Sequence, residues 1–442
     1  MSKKKCIFAA FFENSSNMSS VLHEFSVENF RSIDQLQRVS LDANGGIKDM
    51  IEGGEGAGYF ELPNRARLLT VKTFYGYNSS GKSNLLLSLH RMRGIVRHAV
   101  RLNENESLPY EPFLLKDGAG MKPTRFEVVF TKERDTYRYG FSYNQTAIEE
   151  EWLYVKMPGK SVKEVFFRKE NTWNKTNPNF VECNVNVTIN KNRLLLSLLG
   201  QLGGATSNTV LEWFANDLVI VSGAEDNGYS EVSRNMLLGD EDAKASIIEL
   251  MTRLNLGFGK MQARQVSMDE MGLPDGLPLS FINQLRAHPP IEVKTEHNIY
   301  DADGCIVGTR YMLLDRTESE GTKKLFGLAG LIIKAIQNGT TLVVDEFDSK
   351  IHPNLCRKLV TMFNSRQHNP KGAQLIFSTH DTNLLDNTLL RRDQICFVKK
   401  TSRESSKVYE LMDVVLENGH KPRNDSNYEK NYLAGNYDNI AE

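Results

Sequence analysis

The sequence lacks the features that would place it at once in a nucleic-acid-binding or membrane class. Its formal net charge is -1 and its pI is about 6.8, which indicates no general electrostatic attraction to nucleic acid. No apolar run approaches the roughly 18 to 20 residues needed to span a bilayer. Contact with DNA would therefore require a local basic patch, and we expect no membrane partner.

Cysteine is scarce and follows no metal-binding or disulfide pattern. The 5 cysteines are odd in number, and no two of them form a C-x-x-C pair, so neither a disulfide framework nor a zinc site is indicated. A reducing, cytoplasmic location fits this usage best. Heptads and internal repeats are also absent, so we do not expect long coiled-coil arms.

The bulk composition is that of a globular protein. The chain has 442 residues, of which 40% are hydrophobic and 25% charged, enough for a large core and for two or three domains. Lysines and an apolar run near the N-terminus resemble a short signal peptide. However, residues 14–17 offer no small-residue cleavage site, so we predict a disordered extension over residues 1–20, with Met18 as a candidate natural start.

One stretch has a specific chemical pattern. Residues 76–83 fit G-x-x-x-x-G-K-[ST], a strand is predicted over residues 68–75, and a helix is predicted to begin at Asn84. Glycines allow the backbone to turn its N–H groups inward, and a helix N-terminus attracts anions. A glycine-rich turn without function is the alternative, but the strand, loop, lysine and helix all agree with a phosphate-binding loop.

The loop assigns roles to individual side chains. Lys82 is predicted to reach the β- and γ-phosphates, and the Ser83 hydroxyl to ligate Mg²⁺. The residues predicted to contact the nucleotide here are Gly76, Asn78, Ser79, Ser80, Gly81, Lys82, Ser83 and Asn84.

A second part of the site is predicted far downstream. Residues 340–346 are a β-branched apolar run that ends in two acids, as a buried parallel strand ends at a ligand site. Asp345 is predicted to hold Mg²⁺, and Glu346 to orient and deprotonate the attacking water. The alternative is a core strand followed by an exposed acidic turn.

A third apolar strand, predicted over residues 373–378, ends shortly before His380. This histidine is predicted to donate a hydrogen bond to the γ-phosphate or the attacking water, although an isolated histidine is more often structural. Before the acidic strand, apolar positions recur at helical spacing from Leu325 to Ile336, with Gly339 as a C-terminal stop. Ser319 and Gly321 lie at the start of this helix, which is a potential anion-binding end.

The remaining pattern suggests a core interrupted by insertions. Residues 124–167 read as a meander of strands, and residues 193–275 are predicted to be helical. Residues 22–28 alternate like an antiparallel strand.

Together these motifs resemble an ABC-type ATPase head. Gly76–Ser83, Ser319–Gly321, Asp345–Glu346, Asp348–Pro353 and His380 are similar to its Walker A, signature, Walker B, D-loop and switch histidine. Residues 24–32 resemble the opening strand of SMC, RecF and OLD ATPases. Over nearly the whole chain from residue 22 onwards, including residues 431–437, the sequence resembles the RloA-like AAA/ABC ATPases of bacterial phage-defence loci, and it is also similar to the ATPase of the PARIS system.

The resemblance implies an α/β P-loop NTPase of the ABC type, with a split head and a mixed β-sheet. It implies ATPase lobe I with a β-meander over residues 21–190, a helical insertion over 191–290 and lobe II over 291–442. Ser319 and Gly321 would then cap ATP held by a second subunit, giving at least a head-to-tail homodimer. Arg31 is a candidate nucleotide contact or, equally, a surface arginine. The signature departs from Leu-Ser-Gly-Gly-Gln at Glu318, Glu320 and Thr322.

The implied function is a cytoplasmic Mg²⁺-dependent ATPase that holds or releases an effector in anti-phage defence, by abortive infection. OLD-type relatives carry a Toprim nuclease after the ATPase, and the residues after His380 have no room for one, so the effector would be a separate chain. The alternatives are a RecF- or SMC-like ATPase that binds DNA and, less favoured, the nucleotide-binding subunit of a transporter.

Overall fold

The computed structural model divides into two compact units. Unit 1 comprises the chain up to residue 224 together with residues 335–348 and 356–442, and unit 2 comprises residues 225–334 and 349–355. The described residues are 20–47, 49, 51–54, 56–98, 103–174, 180–185, 188–222, 228–274 and 276–438. The predicted extension over residues 1–20 therefore lies, except for Ser20, outside the described residues, and the predicted division into lobes stays a prediction.

The strands are numbered in chain order. They are β1 (Ser20–Glu28), β2 (Gln37–Ser40), β3 (Tyr59–Glu61), β4 (Arg67–Leu69), β5 (Val71–Tyr75), β6 (Thr124–Lys132), β7 (Asp135–Tyr143), β8 (Ile148–Lys156), β9 (Lys163–Lys169), β10 (Thr172–Trp173), β11 (Leu218–Val221), β12 (Met261–Gln265), β13 (Ile291–Tyr300), β14 (Ile306–Leu313), β15 (Thr341–Val344), β16 (Gln374–Ser378), β17 (Ile395–Lys400) and β18 (Ser406–Glu410).

The α-helices follow the same convention. They are α1 (Lys82–His98), α2 (Leu195–Gln201), α3 (Ala205–Glu212), α4 (Ser230–Leu238), α5 (Glu241–Leu254), α6 (Leu279–Ala287), α7 (Leu314–Thr317), α8 (Glu320–Asn338), α9 (Pro353–Asn364) and α10 (Tyr428–Leu433).

The sheet that carries the phosphate loop is mostly parallel. Its strand order is β11-β15-β16-β5-β17-β18, in which only β18 runs antiparallel to its neighbour. The central strands β5, β15 and β16 are buried along their whole length, because both faces of a parallel sheet are covered. Parallel strands end at a common edge, so the residues after β5, β15 and β16 are brought to one edge of this sheet.

A second sheet of unit 1 is antiparallel, with the order β10-β9-β8-β7-β6-β1-β2. It confirms the predicted meander, since β6 to β9 pair in sequence. Apolar residues of α1, including Leu85, Leu89 and Met92, belong to the same buried cluster as the inner face of this sheet. The cluster also contains Phe74 of β5 and Val343 of β15, so the helix after the phosphate loop is fixed by a large apolar core.

Unit 2 contains a sheet with the order β12-β13-β14 together with helices α4 to α7. The prediction that residues 193–275 are helical is wrong in two places. Residues 218–221 form β11, because this short apolar run pairs in parallel with β15, and residues 261–265 form β12, which pairs with β13. A short apolar run does not distinguish a strand from a helix until its hydrogen-bonding neighbour is known.

Other boundaries differ by a few residues. The strand predicted over residues 68–75 is interrupted at Thr70, whose hydroxyl donates to Asn364 Oδ1 at 3.0 Å and whose N–H bonds to Gly58 O. The signature helix begins at Glu320 and ends at Asn338, followed by Gly339 with φ 67°. This left-handed glycine confirms the predicted stop.

Gln374, at the start of β16, joins distant strands of unit 1. Its side chain is fully buried; Oε1 accepts from Leu22 N at 2.7 Å and from Thr341 Oγ1 at 2.9 Å. Nε2 donates to Leu22 O at 2.8 Å and to Leu69 O at 3.2 Å. One amide thus satisfies backbone groups of β1 and β4 that would otherwise be buried without partners.

We expect Gln374→Leu to lower the free energy of unfolding by about 3 kcal/mol, because each buried backbone group left without a partner costs about 1–3 kcal/mol. Urea unfolding followed by tryptophan fluorescence measures the change. The same substitution at exposed Gln35 is the control and should leave the midpoint nearly unchanged. Equal midpoints for the two variants would show that the Gln374 contacts contribute little.

Candidate functional site

The phosphate loop connects β5 to α1 through backbone conformations that most residues avoid. Ser79 has φ 64° and Gly81 has φ 109°, both in the left-handed region that glycine adopts without strain. Leu85 N bonds back to Gly81 O at 3.0 Å, which starts the first turn of α1. The first turn of α1 leaves backbone N–H groups without helical partners, and such groups are suited to bind phosphate oxygens.

The two framework glycines lie where a side chain would not fit. A Cβ at Gly76 would meet Val398 O at 2.3 Å, and one at Gly81 would meet Ser406 Oγ at 2.0 Å. Buried within the loop, the Ser80 hydroxyl has no hydrogen-bond partner among the described residues. The loop is therefore packed tightly against β17 and β18, with one of its own hydroxyls buried and unpartnered among the described residues.

Lys82 lies at the centre of the site. Its ammonium donates to Gly76 O at 2.7 Å and to Tyr77 O at 3.2 Å, so the loop itself holds the side chain. Burial lowers the pKa of Lys82 below its ordinary value. The carboxylate of Asp345 opposes this shift most strongly, followed by those of Asp348 and Glu346. These acids, distant in the sequence, therefore act on the loop lysine in the fold.

The acidic pair, Asp345 and Glu346, follows β15, and the Ser378 hydroxyl contacts both residues. Ser378 Oγ donates to Asp345 Oδ1, and Glu346 N donates to Ser378 Oγ at 2.8 Å. Glu346 has φ 50° and is exposed; this strained backbone conformation directs the residue out of the strand direction. Asp345 is half-buried and Ser83 is exposed. A carboxylate and a hydroxyl are oxygen ligands of the kind that Mg²⁺ prefers, so the residues present fit that ion.

His380 follows β16 at the same edge of the sheet. It is exposed, and its backbone N–H lies 3.3 Å from both carboxylate oxygens of Asp348. The structure thus brings together Lys82, Asp345, Glu346 and His380, all within unit 1.

Asn78 and Ser79 are exposed residues of the loop, and Asn84 is half-buried in the first turn of α1. Asn84 Nδ2 donates to Ser32 Oγ at 2.8 Å, and Ser406 Oγ donates to Ser32 Oγ at 2.8 Å. Ser406 lies 2.7 Å from Ser80 O as well. Ser32, next to Arg31, is therefore hydrogen-bonded to Asn84 of α1 and, through Ser406, connected to the phosphate loop.

Arg31 itself is engaged in an ion pair. Its Nη2 lies 2.6 Å from Glu111 Oε1, and Arg91 Nη2 lies 2.6 Å from Glu111 Oε2. The two arginines lower the pKa of Glu111 although burial opposes them. Arg31 is thus paired with Glu111, and the next residue, Ser32, bonds to Ser406, which contacts the phosphate loop.

The C-terminal segment reaches the phosphate loop through aromatic rings. Tyr432 of α10 stacks on Phe397 with ring centroids 5.4 Å apart and on Tyr77 at 6.4 Å. Tyr77 remains 63% exposed. Residues 431–437, which carried part of the family resemblance, are therefore physically connected to the loop.

The turn at residues 319–321, called the signature turn below, belongs to unit 2. Ser319 Oγ accepts from Thr322 N at 3.1 Å, as an N-cap of α8 does. A Cβ at Gly321 would meet Lys350 O at 2.3 Å, and Lys324 Nζ donates to Ser349 O at 3.0 Å. Gly321 is therefore needed for the close approach of residues 349–350, which belong to the D-loop motif.

Sequence reasoning missed the hydroxyl groups that orient the acids and the loop. Ser378 is the last residue of β16, and its polar side chain at the end of an apolar strand is the signal that could have found it. The contact between Ser32 and Ser406 is not visible in the sequence, because β18 is assigned to this place only by its pairing with β17.

Comparisons with known proteins found similar solved structures and one matching family model. The structures similar to the chain include an SMC head bound to the C-winged helix domain of ScpA (12% identity, TM-score 0.41, covering 88% of this chain and 98% of that chain). A second is the SMC head domain from Thermotoga maritima (14% identity, TM-score 0.39, covering 88% of this chain and 98% of that chain). A third is the recombination mediator protein RecF-ATPrS of the RecFOR pathway (12% identity, TM-score 0.37, covering 90% of this chain and 100% of that chain). No curated protein matches the sequence.

Within the described ranges, no helix is both long enough and apolar enough to cross a membrane. The family model described as "AAA domain, putative AbiEii toxin, Type IV TA system" matches residues 73–216 and 306–386, more than half of the chain. The matched segments contain the phosphate loop, the signature turn, the acidic pair and His380. The chain therefore belongs to this AAA family.

Proposed function

We propose that the chain is a cytoplasmic, Mg²⁺-dependent ATP hydrolase that assembles with copies of itself around ATP and thereby controls a separate effector in anti-phage defence. The observation that carries the ATPase is the position of Lys82. Its ammonium is held by the phosphate loop and lies in the field of three carboxylates from residues 345–348.

In this proposal the loop N–H groups and Lys82 bind the phosphates of ATP. Ser83 and Asp345 would hold Mg²⁺, which supplies positive charge that neutralises the phosphate oxygens. Glu346 accepts a proton from the attacking water, and its exposed position leaves it accessible to that water. His380 donates a hydrogen bond to the γ-phosphate or the water. Asp348 fixes the backbone of His380.

Ser319 and Gly321 complete the site from a second subunit in this proposal. Their helix end is positively polarised and would face the γ-phosphate. Hydrolysis removes the charge that joins the two subunits, so ATP occupancy acts as a switch for assembly. The smallest assembly is a head-to-tail dimer.

The proposed defence role depends on the family and on the wider resemblance. The description of the matching family model names the AbiEii toxin and a type IV toxin–antitoxin system. In addition, the chain resembles RloA-like and PARIS ATPases at both ends. A separate, Toprim-like nuclease is the proposed effector. Retention of duplex DNA rather than a soluble nuclease by the ATP-trapped protein would favour the RecF- or SMC-like alternative.

A mixing experiment tests the shared site. Ser319→Asp keeps an N-cap residue but places a carboxylate against the partner's γ-phosphate, so we expect this variant and Lys82→Ala each to lose at least about 90% of the ATPase rate, a cost of about 1.4 kcal/mol or more. Mixed, the two variants form heterodimers that contain one intact site, and part of the activity returns.

Ser319→Asn is the matched control, since it caps the helix without adding charge and should keep much of the rate. The mixture would contradict the proposal if it stayed as inactive as its two components while size-exclusion chromatography showed ATP-induced dimers. A wild-type chain that neither hydrolyses ATP with Mg²⁺ nor assembles with it would contradict the ATPase itself.

A further inference from the structure

The signature turn of this chain is anchored by an acid at the position where the ABC-type motif has leucine. Glu318 directly precedes Ser319, the N-cap residue of helix α8. Its backbone N–H donates to Leu314 O at 3.2 Å and so closes the short helix α7. The side chain is only 11% exposed.

Two side chains of β13 hold the Glu318 carboxylate. Thr295 Oγ1 donates to Glu318 Oε1 at 2.6 Å, and His297 Nε2 lies 2.8 Å from the same oxygen. The His297 nitrogen is also 3.0 Å from Thr295 Oγ1. The contact between His297 and the carboxylate requires Nε2 to carry a proton, because a carboxylate oxygen only accepts. All these residues belong to unit 2.

The neighbouring contacts restrict the turn from other sides. Phe258 packs against the His297 ring with centroids 6.3 Å apart at an angle of 63°. On the helix side, Glu320 forms ion pairs with Lys323 at 3.0 Å and Lys350 at 3.3 Å. The turn is thus bound to β13 before Ser319 and to residue 350 after it.

We propose that Thr295 and His297 are positioning residues for ATP hydrolysis: they hold Glu318 and thereby set the direction in which Ser319 and Gly321 face the neighbouring subunit's ATP. The inference rests on the proposed function of the signature turn. A carboxylate that is nearly buried needs hydrogen-bond donors, and here both donors come from one strand. Loss of either donor frees Glu318 to turn towards solvent, and Ser319, its covalent neighbour, moves with it.

The test separates this role from nucleotide binding in the subunit's own phosphate loop. His297→Leu is expected to lower kcat by about 10- to 100-fold, since small misplacements of a site group have effects of that size, and to weaken ATP-induced dimerisation by a similar factor. The dissociation constant for ATP, measured below the dimerisation concentration, should stay within about twofold of wild type, because Lys82 is untouched.

His297→Gln is the rescue variant, because its amide nitrogen can still donate to Glu318; we expect it to recover most of the rate. His288→Leu, at an exposed position of the same unit, is the matched control. Should His297→Leu unfold, the same measurements are made on Thr295→Val, which removes the other donor to Glu318 with little change in side-chain shape.

Wild-type kcat and dimerisation in folded His297→Leu or Thr295→Val would overturn the inference. So would an equal loss in the Gln and Leu variants at position 297, since donation to Glu318 would then be irrelevant. Failure of the wild-type protein itself to dimerise with ATP would instead contradict the proposed function, so the two failures are distinguishable.

Discussion

Glu346→Gln is expected to bind ATP with Mg²⁺ normally and to hydrolyse it about 100- to 10,000-fold more slowly, the range in which general-base catalysis contributes. Glutamine keeps the size of the side chain and the contact of residue 346 N with Ser378 Oγ, but it cannot accept the proton of the attacking water. ATP should therefore persist in the site and hold the subunits together. Release of phosphate under single-turnover conditions measures the rate, and size-exclusion chromatography measures the trapped assembly.

Glu404→Gln is a matched control, because Glu404 is also exposed and also has a left-handed backbone, with φ 61°. It should behave as wild type. Hydrolysis at the normal rate by Glu346→Gln would show that another group activates the water. Loss of ATP binding in the same variant would instead assign Glu346 to substrate binding.

Lys82→Ala should lower the affinity for ATP by about 10- to 100-fold, since hydrogen bonds to a charged group contribute about 1.5–3 kcal/mol. The variant removes the ammonium that Gly76 O and Tyr77 O hold and leaves three carboxylates near the phosphates without a compensating charge. Repulsion between these carboxylates and the phosphates of ATP lowers the affinity further. Isothermal titration with ATP and Mg²⁺ measures the affinity.

Lys400→Ala, at an exposed position at the end of β17, controls for the loss of one surface charge and should bind ATP normally. Thermal unfolding without nucleotide should show that Lys82→Ala is folded. If folded Lys82→Ala bound ATP as tightly as wild type, the nucleotide site would lie elsewhere.

The sequence was sufficient to predict that four candidate residues lie at one edge of a sheet, because each follows a recognisable apolar strand. The loop before Lys82, the acids Asp345 and Glu346, and His380 all follow strands that are parallel in one sheet, and parallel strands bring such residues to a common edge. The α/β fold was predicted for the same reason. The catalytic and binding roles of these residues remain predictions.

Contacts that depend on tertiary pairing could not be predicted. Ser378 orients two acids, and Gln374 joins β1 to β16, only because the sheets place them so. The departure from the ABC-type motif at Glu318 is visible in the sequence, but the contacts of its carboxylate with Thr295 and His297 of β13 are not. Residues 218–221 form a strand because they pair in parallel with β15.

The position of β5 between β16 and β17 has a consequence for biosynthesis. Both neighbours of the phosphate-loop strand follow it in the chain only after residue 373, so a nascent chain carries β5 with neither edge paired until β16 has been made. Such edges attract other strands, and pairing across so long a separation is slow. The predicted nucleotide site, which needs the residues after β15 and β16 beside the phosphate loop, can therefore form only after β16 has been synthesised.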